Sequence, residues 1–246
     1  MANQIISLSG GKDSTAMLLM MLERKEPIHS VVFFDTGWEF PEMYDHLDLL
    51  EKNTGIKIIR LHPKRSFNHW MFDRKVIPRK GPLKGKVRFR GLGWPRADFR
   101  WCTGKKFDEF KKYTNKIKDH TMCIGLAADE QARIKIKTKT QAERNKNSRY
   151  PLSEWGISEK EALRYCVDHG YDWHGLYNVF DRVSCFCCPF KRKAELKALY
   201  THYPDLWWKL RQMDENSRTT FKYGKTIKDI ERVFAEEDRQ MELFAI

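Results

Sequence analysis

Short apolar runs recur along the first half of the chain. Ile5-Ile6-Ser7-Leu8, Val31-Val32-Phe33-Phe34, Ile56-Lys57-Ile58-Ile59-Arg60-Leu61 and Thr121-Met122-Cys123-Ile124-Gly125-Leu126 each have the length of one strand. They read as strands of a buried parallel sheet rather than as half-wet hairpins. The run Ala16–Leu22 between the first two predicts a helix, and Pro41 opens another over Glu42–Thr54, with Met43, Leu47, Leu49 and Leu50 as its apolar positions. The βαβαβ order predicts an α/β fold: an open, doubly wound, mostly parallel sheet with helices on both faces. Further helices are expected over Phe107–Tyr113, Ser158–His169, Lys193–Tyr200, Pro204–Ser217 and Ile227–Phe244. The second of these segments, Ser158–His169, begins with a Ser-x-x-Glu capping pattern at Ser158 and Glu161. The chain therefore divides into an α/β domain over 1–150 and a mainly helical region over 151–246, without internal repeats.

The periodicity lapses over an insert at about 64–101. That stretch is rich in Gly, Pro, Arg and Lys, as in Pro78-Arg79-Lys80-Gly81-Pro82-Leu83-Lys84-Gly85, and is expected as a mobile loop or a short helical insert near the site. Aromatic residues interleave with its cations: Phe67, Trp70, Phe72, Phe89, Trp94, Phe99 and Trp101. Across 246 residues there are 46 Lys+Arg against 33 Asp+Glu, a net charge of +13. A basic balance favours a polyanionic partner, and cations beside stacking surfaces suit a nucleic acid, tRNA or DNA. A solvated basic face is the competing reading. The apolar runs are too short to span a membrane, and the first strand starts at once, so the expected location is cytoplasmic.

The chemistry begins at Ser9-Gly10-Gly11-Lys12-Asp13-Ser14-Thr15, between the first strand and the first helix. Such a junction gathers unpaired N–H groups at the positive end of a helix, where an anion is held. Its spacing is not that of the common P-loop, which needs a glycine five residues before Gly-Lys-Ser/Thr. Position 6 is Ile here, and Asp13 follows the lysine. A polar strand-to-helix turn without a ligand is the plainer alternative. A second candidate, Asp35-Thr36-Gly37-Trp38, closes the second strand, and ligands of open α/β sheets sit at such carboxyl ends.

The loop resembles the PP-loop of the adenine nucleotide α-hydrolase proteins, which cleave ATP between its α and β phosphates and adenylate a substrate. Three later segments resemble phosphoadenylyl-sulfate reductases within that group: Phe33–Glu42, Arg100-Trp101-Cys102-Thr103-Gly104-Lys105-Lys106, and Gly125-Leu126-Ala127-Ala128-Asp129-Glu130-Gln131-Ala132-Arg133. Pro151-Leu152-Ser153-Glu154-Trp155 is similar to a later Pro-Leu-aromatic segment of the same family. The resemblance implies that Ser9, Gly10, Gly11, Lys12, Asp13 and Ser14 surround the phosphates of ATP, and that Asp35, Thr36, Gly37 and Gly125 meet the nucleotide. It makes Lys12, Asp13 and Asp35 the catalytic candidates, with Asp13 or Asp35 placing Mg2+. Arg133 would bind phosphate as a fork, unless it only pairs with Asp129 along a helix.

Three of the six cysteines fall in Ser184-Cys185-Phe186-Cys187-Cys188-Pro189-Phe190. Cys185 and Cys188 have C-x-x-C spacing, which suits one metal or cluster. With Cys102 they resemble the three-cysteine set of iron–sulfur tRNA thiolation enzymes and DNA phosphorothioation proteins of the PP-loop type, with Cys187 a fourth ligand or a nearby thiol. A [4Fe–4S] cluster, Zn2+ on four thiolates, a redox disulfide and plain buried cysteines all stay open. Cys123 and Cys166 lie in apolar segments and read as core. One departure stands out. The reductases carry Glu-Cys-Gly-Leu-His near their C-terminus, and no cysteine follows Cys188. The expected function is therefore an ATP pyrophosphatase that adenylates a target, a nucleic acid, for iron–sulfur-dependent sulfur transfer from a sulfur donor protein. The alternatives are a sulfonucleotide reductase and a non-catalytic binding module with structural zinc.

Overall fold

A computed structural model describes residues 3–135 and 147–244. The described chain forms two compact units: one of Met1–Asp35, Glu39–His62 and Lys106–Val183, the other of Thr36–Trp38, Pro63–Lys105 and Ser184–Ile246. Among the described residues no helix is long and apolar enough to cross a membrane.

The first unit is built on strands β1 (Asn3–Leu8), β2 (Ser30–Phe34), β3 (Ile58–Leu61), and, after the insert, a further strand over His120–Ile124 and a short one over Ser148–Arg149. Their spatial order is β3, β2, β1, His120–Ile124, Ser148–Arg149, with every neighbour parallel. The central strand β1 has Ile5, Ile6 and Leu8 fully buried, as a strand covered on both faces requires. Helix α1 (Lys12–Glu23) returns the chain to β2, and α2 (Pro41–Thr54) returns it to β3. Proline at the first turn of α2 and Gly55 at its end, with φ 69°, set its limits. Cys123 and Cys166 are both fully buried, and each belongs to the core of this unit.

The chain leaves β1 for β2 on one side and later returns to pair β1 on its other side. The order of strands reverses there, and ligands of open α/β sheets bind at such a reversal, beyond the carboxyl ends of the strands, here β1 and His120–Ile124. The loop Ser9–Gly11 and the segment from Gly125 to Glu130 lead out of those ends.

The second unit holds most of the insert. In place of a long loop it contains one π turn over His69–Asp73 and an antiparallel hairpin of β4 (Lys75–Val76) and β5 (Phe89–Arg90). Strands this short carry no readable period, so the sequence showed only a lapse. Trp38, Phe67, Trp94 and Trp101 meet edge to face or tilted at 5.2 to 6.5 Å between ring centres. Trp94 also gives its indole N–H to Asp214 at 2.9 Å, and Asp214 accepts the Ile227 N–H at 2.7 Å. That carboxylate joins the end of the helix Pro204–Glu215 to the start of the helix Ile227–Phe244. Trp101 begins α3 (Trp101–Thr114) six residues before the apolar pattern does.

Candidate functional site

The glycine turn after β1 is clamped from several sides. Gly10 has φ +80°, and a Cβ there would lie 2.3 Å from Met43 Sδ. The positive φ favours glycine, and any side chain there would also have to push the Met43 side chain aside. The Gly10 carbonyl accepts the Trp173 indole N–H at 2.7 Å and the Thr15 hydroxyl at 3.4 Å. Thr15 Oγ1 lies 3.0 Å from His46 Nε2, and the His46 ring stacks on Trp173 at 4.4 Å. Burial pushes the His46 pKa down to about 3, so this ring is neutral. Ser14 donates to the Gly11 carbonyl at 3.0 Å and accepts the Ser9 N–H at 3.0 Å. Among the described residues the first turn of α1 has no side-chain cap, and only its Lys12 N–H is taken by a side chain, the Tyr177 hydroxyl at 2.8 Å. The next helical N–H groups, on Asp13 and Ser14, have no acceptor within the helix and are aligned with its dipole.

Gly125 completes the backbone of this corner. A Cβ at position 125 would lie 2.8 Å from Ser14 Cα and N and 2.9 Å from the Asp13 carbonyl carbon. The glycine lets the strand His120–Ile124 close directly onto the first turn of α1.

Opposite charges converge on the same turn. Lys12 is 6% exposed, and its Nζ is 2.9 Å from Glu159 Oε2 and 3.9 Å from Asp13 Oδ2. Asp13, Glu130 and Glu159 each direct an oxygen to within 4.8 Å of the others. Asp13 is raised to about pKa 6, chiefly by burial and further by Glu159, while Lys12, Arg133 and Arg182 oppose the rise. Asp13 Oδ1 is buried with no hydrogen-bond partner among the described residues. An orphaned carboxylate oxygen beside two more carboxylates fits a hard cation with oxygen ligands, and Mg2+ suits this donor set. Arg133 pairs with Glu130 rather than with Asp129. Its pKa is lowered by burial and by the like charge of Arg182. Asp129 instead accepts the Glu159 N–H at 3.1 and 3.3 Å, which joins the Ser158–Glu161 capping box in setting the start of the helix Glu159–Asp168.

Asp35 stands apart from the three-carboxylate group. It accepts the Tyr44 hydroxyl at 2.8 Å, and its other oxygen lies 3.6 Å from His62 Nδ1. Burial and the Asp35 charge raise the Tyr44 pKa. Thr36 and Gly37 belong to the second unit. The Thr36 hydroxyl accepts the Trp38 N–H at 3.0 Å and lies 3.5 Å from Cys185 Sγ, and Gly37 turns the chain at φ +73°.

The second unit also gathers Cys102, Cys185, Cys187 and Cys188. No disulfide links any of the six cysteines. Cys187 is buried, and the other three are half-buried. Burial raises the Cys102 pKa, and the Cys188 charge adds to the rise, so these two thiols face each other's field. Lys191 is 2% exposed; burial lowers its pKa, while Glu195, Cys188, Cys185 and Cys187 pull it back up. The Lys191 amine and the thiols thus lie within each other's electrostatic field. Among the described residues, only Asp13, Glu130 and Glu159 bring three ligand atoms within 4.8 Å of one another. Thiolate sulfurs are soft donors, and both an iron–sulfur cluster and a zinc ion accept them.

Residues 3–191 match the phosphoadenosine phosphosulfate reductase domain, and the chain belongs to that family. It is 29% identical over 210 residues to an uncharacterized protein of Methanocaldococcus jannaschii, covering 83% of this chain and 40% of that protein. It is 25% identical over 181 residues to the adenosine 5'-phosphosulfate reductase of Streptomyces coelicolor, covering 70% and 66%. The fold is similar to that of the phosphoadenylyl-sulfate reductase of Candida auris in its phosphate complex, with a TM-score of 0.51 and 15% identity over 75% of this chain and 82% of that one. The chain spans less than half the length of the first curated relatives, 40% and 45%.

Three members of the charged corner escape a reading of the sequence: Glu159, Tyr177 and Arg182. Glu159 carries one signal, its place in the first turn of a capped helix. Tyr177 and Arg182 follow the backbone kink at Trp173 and His174, both at positive φ, in a segment with no periodic pattern.

Proposed function

We propose that the first unit is an ATP pyrophosphatase site that adenylates a second substrate. The observation that carries the reading is the convergence of Lys12, Asp13, Glu130, Glu159 and Arg133 on a helix N-terminus at the strand-order reversal. The N–H groups of Asp13 and Ser14 meet phosphate oxygens, and Lys12 exchanges its Glu159 partner for them. Arg133 and Arg182 hold the remaining phosphate charge. Asp13, Glu130 and Glu159 would hold Mg2+, which when bound neutralises the charge growing on the leaving pyrophosphate. An oxygen of the second substrate attacks the α-phosphorus, the bond to the β-phosphate oxygen breaks, and an adenylated product and pyrophosphate leave.

The adenylated target is a nucleic acid, a reading supported by the net charge of +13. Cys102, Cys185, Cys187 and Cys188 would hold a [4Fe–4S] cluster, with Zn2+ the other group that four thiolates bind. A bound cluster supplies iron able to carry sulfide from a sulfur donor protein. A cytoplasmic setting suits such thiols. The test is Mg2+-dependent pyrophosphate release in the presence of tRNA or DNA, with Lys12→Ala as the negative control. Release that persists in Lys12→Ala contradicts the assignment.

A second reading rests on the family match itself. The same anion site would accept a sulfonucleotide, and the thiol group would serve its reduction. Sulfite formation from adenylyl sulfate with an electron source would favour it over the first.

A further inference from the structure

Between Arg74 and Arg90 the chain carries eight Arg and Lys residues and no Asp or Glu. All eight are exposed, and none forms an ion pair among the described residues. The segment is folded, not splayed. Lys75 pairs with Arg90 and Val76 with Phe89 across the β4–β5 hairpin. The Arg88 N–H reaches the Val76 carbonyl at 2.9 Å, and the Gly91 N–H reaches the Arg74 carbonyl at 2.9 Å. Within the tip, Gly85 N–H bonds Pro78 at 3.2 Å and Lys84 N–H bonds Gly81 at 3.0 Å. Unpaired like charges on an ordered hairpin repel one another, and a polyanion relieves that repulsion while releasing its own counterions.

Flat rings lie among these cations. The Phe89 ring has the Arg218 guanidinium at 4.0 Å and Arg88 at 5.8 Å, and Trp70 has Arg74 at 4.5 Å and Lys105 at 4.4 Å. Aromatic and guanidinium planes are the surfaces on which unstacked bases rest, and the arginine forks match phosphate. Folded RNA presents unpaired bases stably in its loops, whereas DNA exposes them only when its strands are opened.

We propose that the β4–β5 hairpin, with the Arg218–Phe89 and Arg74–Trp70 stacks beside it as stacking surfaces, is a docking surface for a looped, single-stranded segment of RNA. The inference goes beyond the adenylation reading: it concerns binding, and it holds whether or not the first unit cleaves ATP.

The test is fluorescence anisotropy of a labelled RNA stem-loop with the full chain, without nucleotide, across a salt series. Single-stranded DNA of the same loop sequence, the RNA stem as a blunt duplex, and vesicles containing phosphatidylserine serve as competing ligands. Two variants are compared, one with Arg79, Lys80, Lys84 and Lys86 all changed to Gln, and Phe89→Ala. Circular dichroism and thermal melting confirm that both fold. The fourfold variant is expected to lower the slope of log K against log salt by about 3, since each phosphate contact with a single strand contributes about 0.7. Phe89→Ala is expected to weaken stem-loop binding at least about fivefold, because stacking is lost, while leaving the salt slope within error. Unchanged slope and affinity in the folded fourfold variant would overturn the proposal. So would tighter binding to the DNA, the duplex or the vesicles than to the stem-loop. Loss of ATP cleavage with intact RNA binding would count against the adenylation reading alone.

Discussion

Glu159 holds the loop lysine: its Oε2 lies 2.9 Å from Lys12 Nζ, across 147 residues of chain. The pair joins the turn after β1 to a helix from the far end of the first unit. Because Glu159 also belongs to the carboxylate group, it serves two partners in turn. Glu159→Gln should therefore have opposite effects on two ligands. ATP binding in EDTA should tighten, since Lys12 is released to phosphate. The Mg2+ concentration for half-maximal turnover should rise by at least about tenfold, the scale of losing a metal-orienting carboxylate. Equal weakening of both would show that Glu159 only supports the fold. Titration calorimetry with and without Mg2+ separates the outcomes.

Asp13 gives the site a pH dependence. Its folded pKa of about 6 lies above the ordinary 3.8, so the folded state binds more protons between these values and its stability falls as pH rises through them. Asp13→Asn should raise the melting temperature at pH 7 and change it little at pH 3.5. The gain at neutral pH is at most about 3 kcal/mol. Mg2+ affinity should show the reverse sign, rising as Asp13 ionises through about pH 6 and vanishing in Asp13→Asn.

His46 acts on stability in acid. Its folded pKa of about 3 is below the ordinary 6.5, so the unfolded chain binds the extra proton as pH falls. Stability present above pH 6.5 should be lost at about 1.4 kcal/mol per unit down to pH 3. Urea melts at pH 7, 5.5 and 4.5, compared with those of His46→Gln, isolate this contribution as the smaller slope of the variant.

Much of the first unit was legible because its signals are local. The runs at Ile5, Val31 and Thr121 are contiguous, and each became a strand of the parallel sheet. Cys123 and Cys166 read as core because their neighbours are apolar. The charged corner was legible in the loop and, through the family resemblance, in Gly125 and Arg133. Glu159, Tyr177 and Arg182 enter through tertiary contact, and no spacing links them to Lys12. The hairpin escaped for another reason: two-residue strands cannot display an alternation, so β4 and β5 looked like loop.

Gly125 provides a steric test of how the corner closes. Gly125→Ala places a methyl 2.8 Å from backbone atoms of Ser14, which cannot rotate away. The variant should lose about 1–3 kcal/mol, the range for overpacking, and should bind ATP more weakly than its stability loss alone explains. Normal ATP affinity in a folded Gly125→Ala protein would show that the first turn of α1 tolerates displacement.

The thiol group predicts a metal signature. Anaerobically purified protein should be brown, with about four iron atoms per chain, as one [4Fe–4S] cluster requires. Cys102→Ser and Cys185→Ser should each lose most of that iron while keeping the far-ultraviolet spectrum. Colourless protein with one zinc per chain would assign the thiols to structure.

The bond that is cleaved tests the central claim most directly. Incubated with Mg2+, a nucleic-acid substrate and α-labelled ATP, the protein should yield label in AMP or in an adenylated polymer, together with unlabelled pyrophosphate. Lys12→Ala should yield neither. Label recovered as ADP, or no ATP cleavage alongside sulfite release from adenylyl sulfate, would contradict the account.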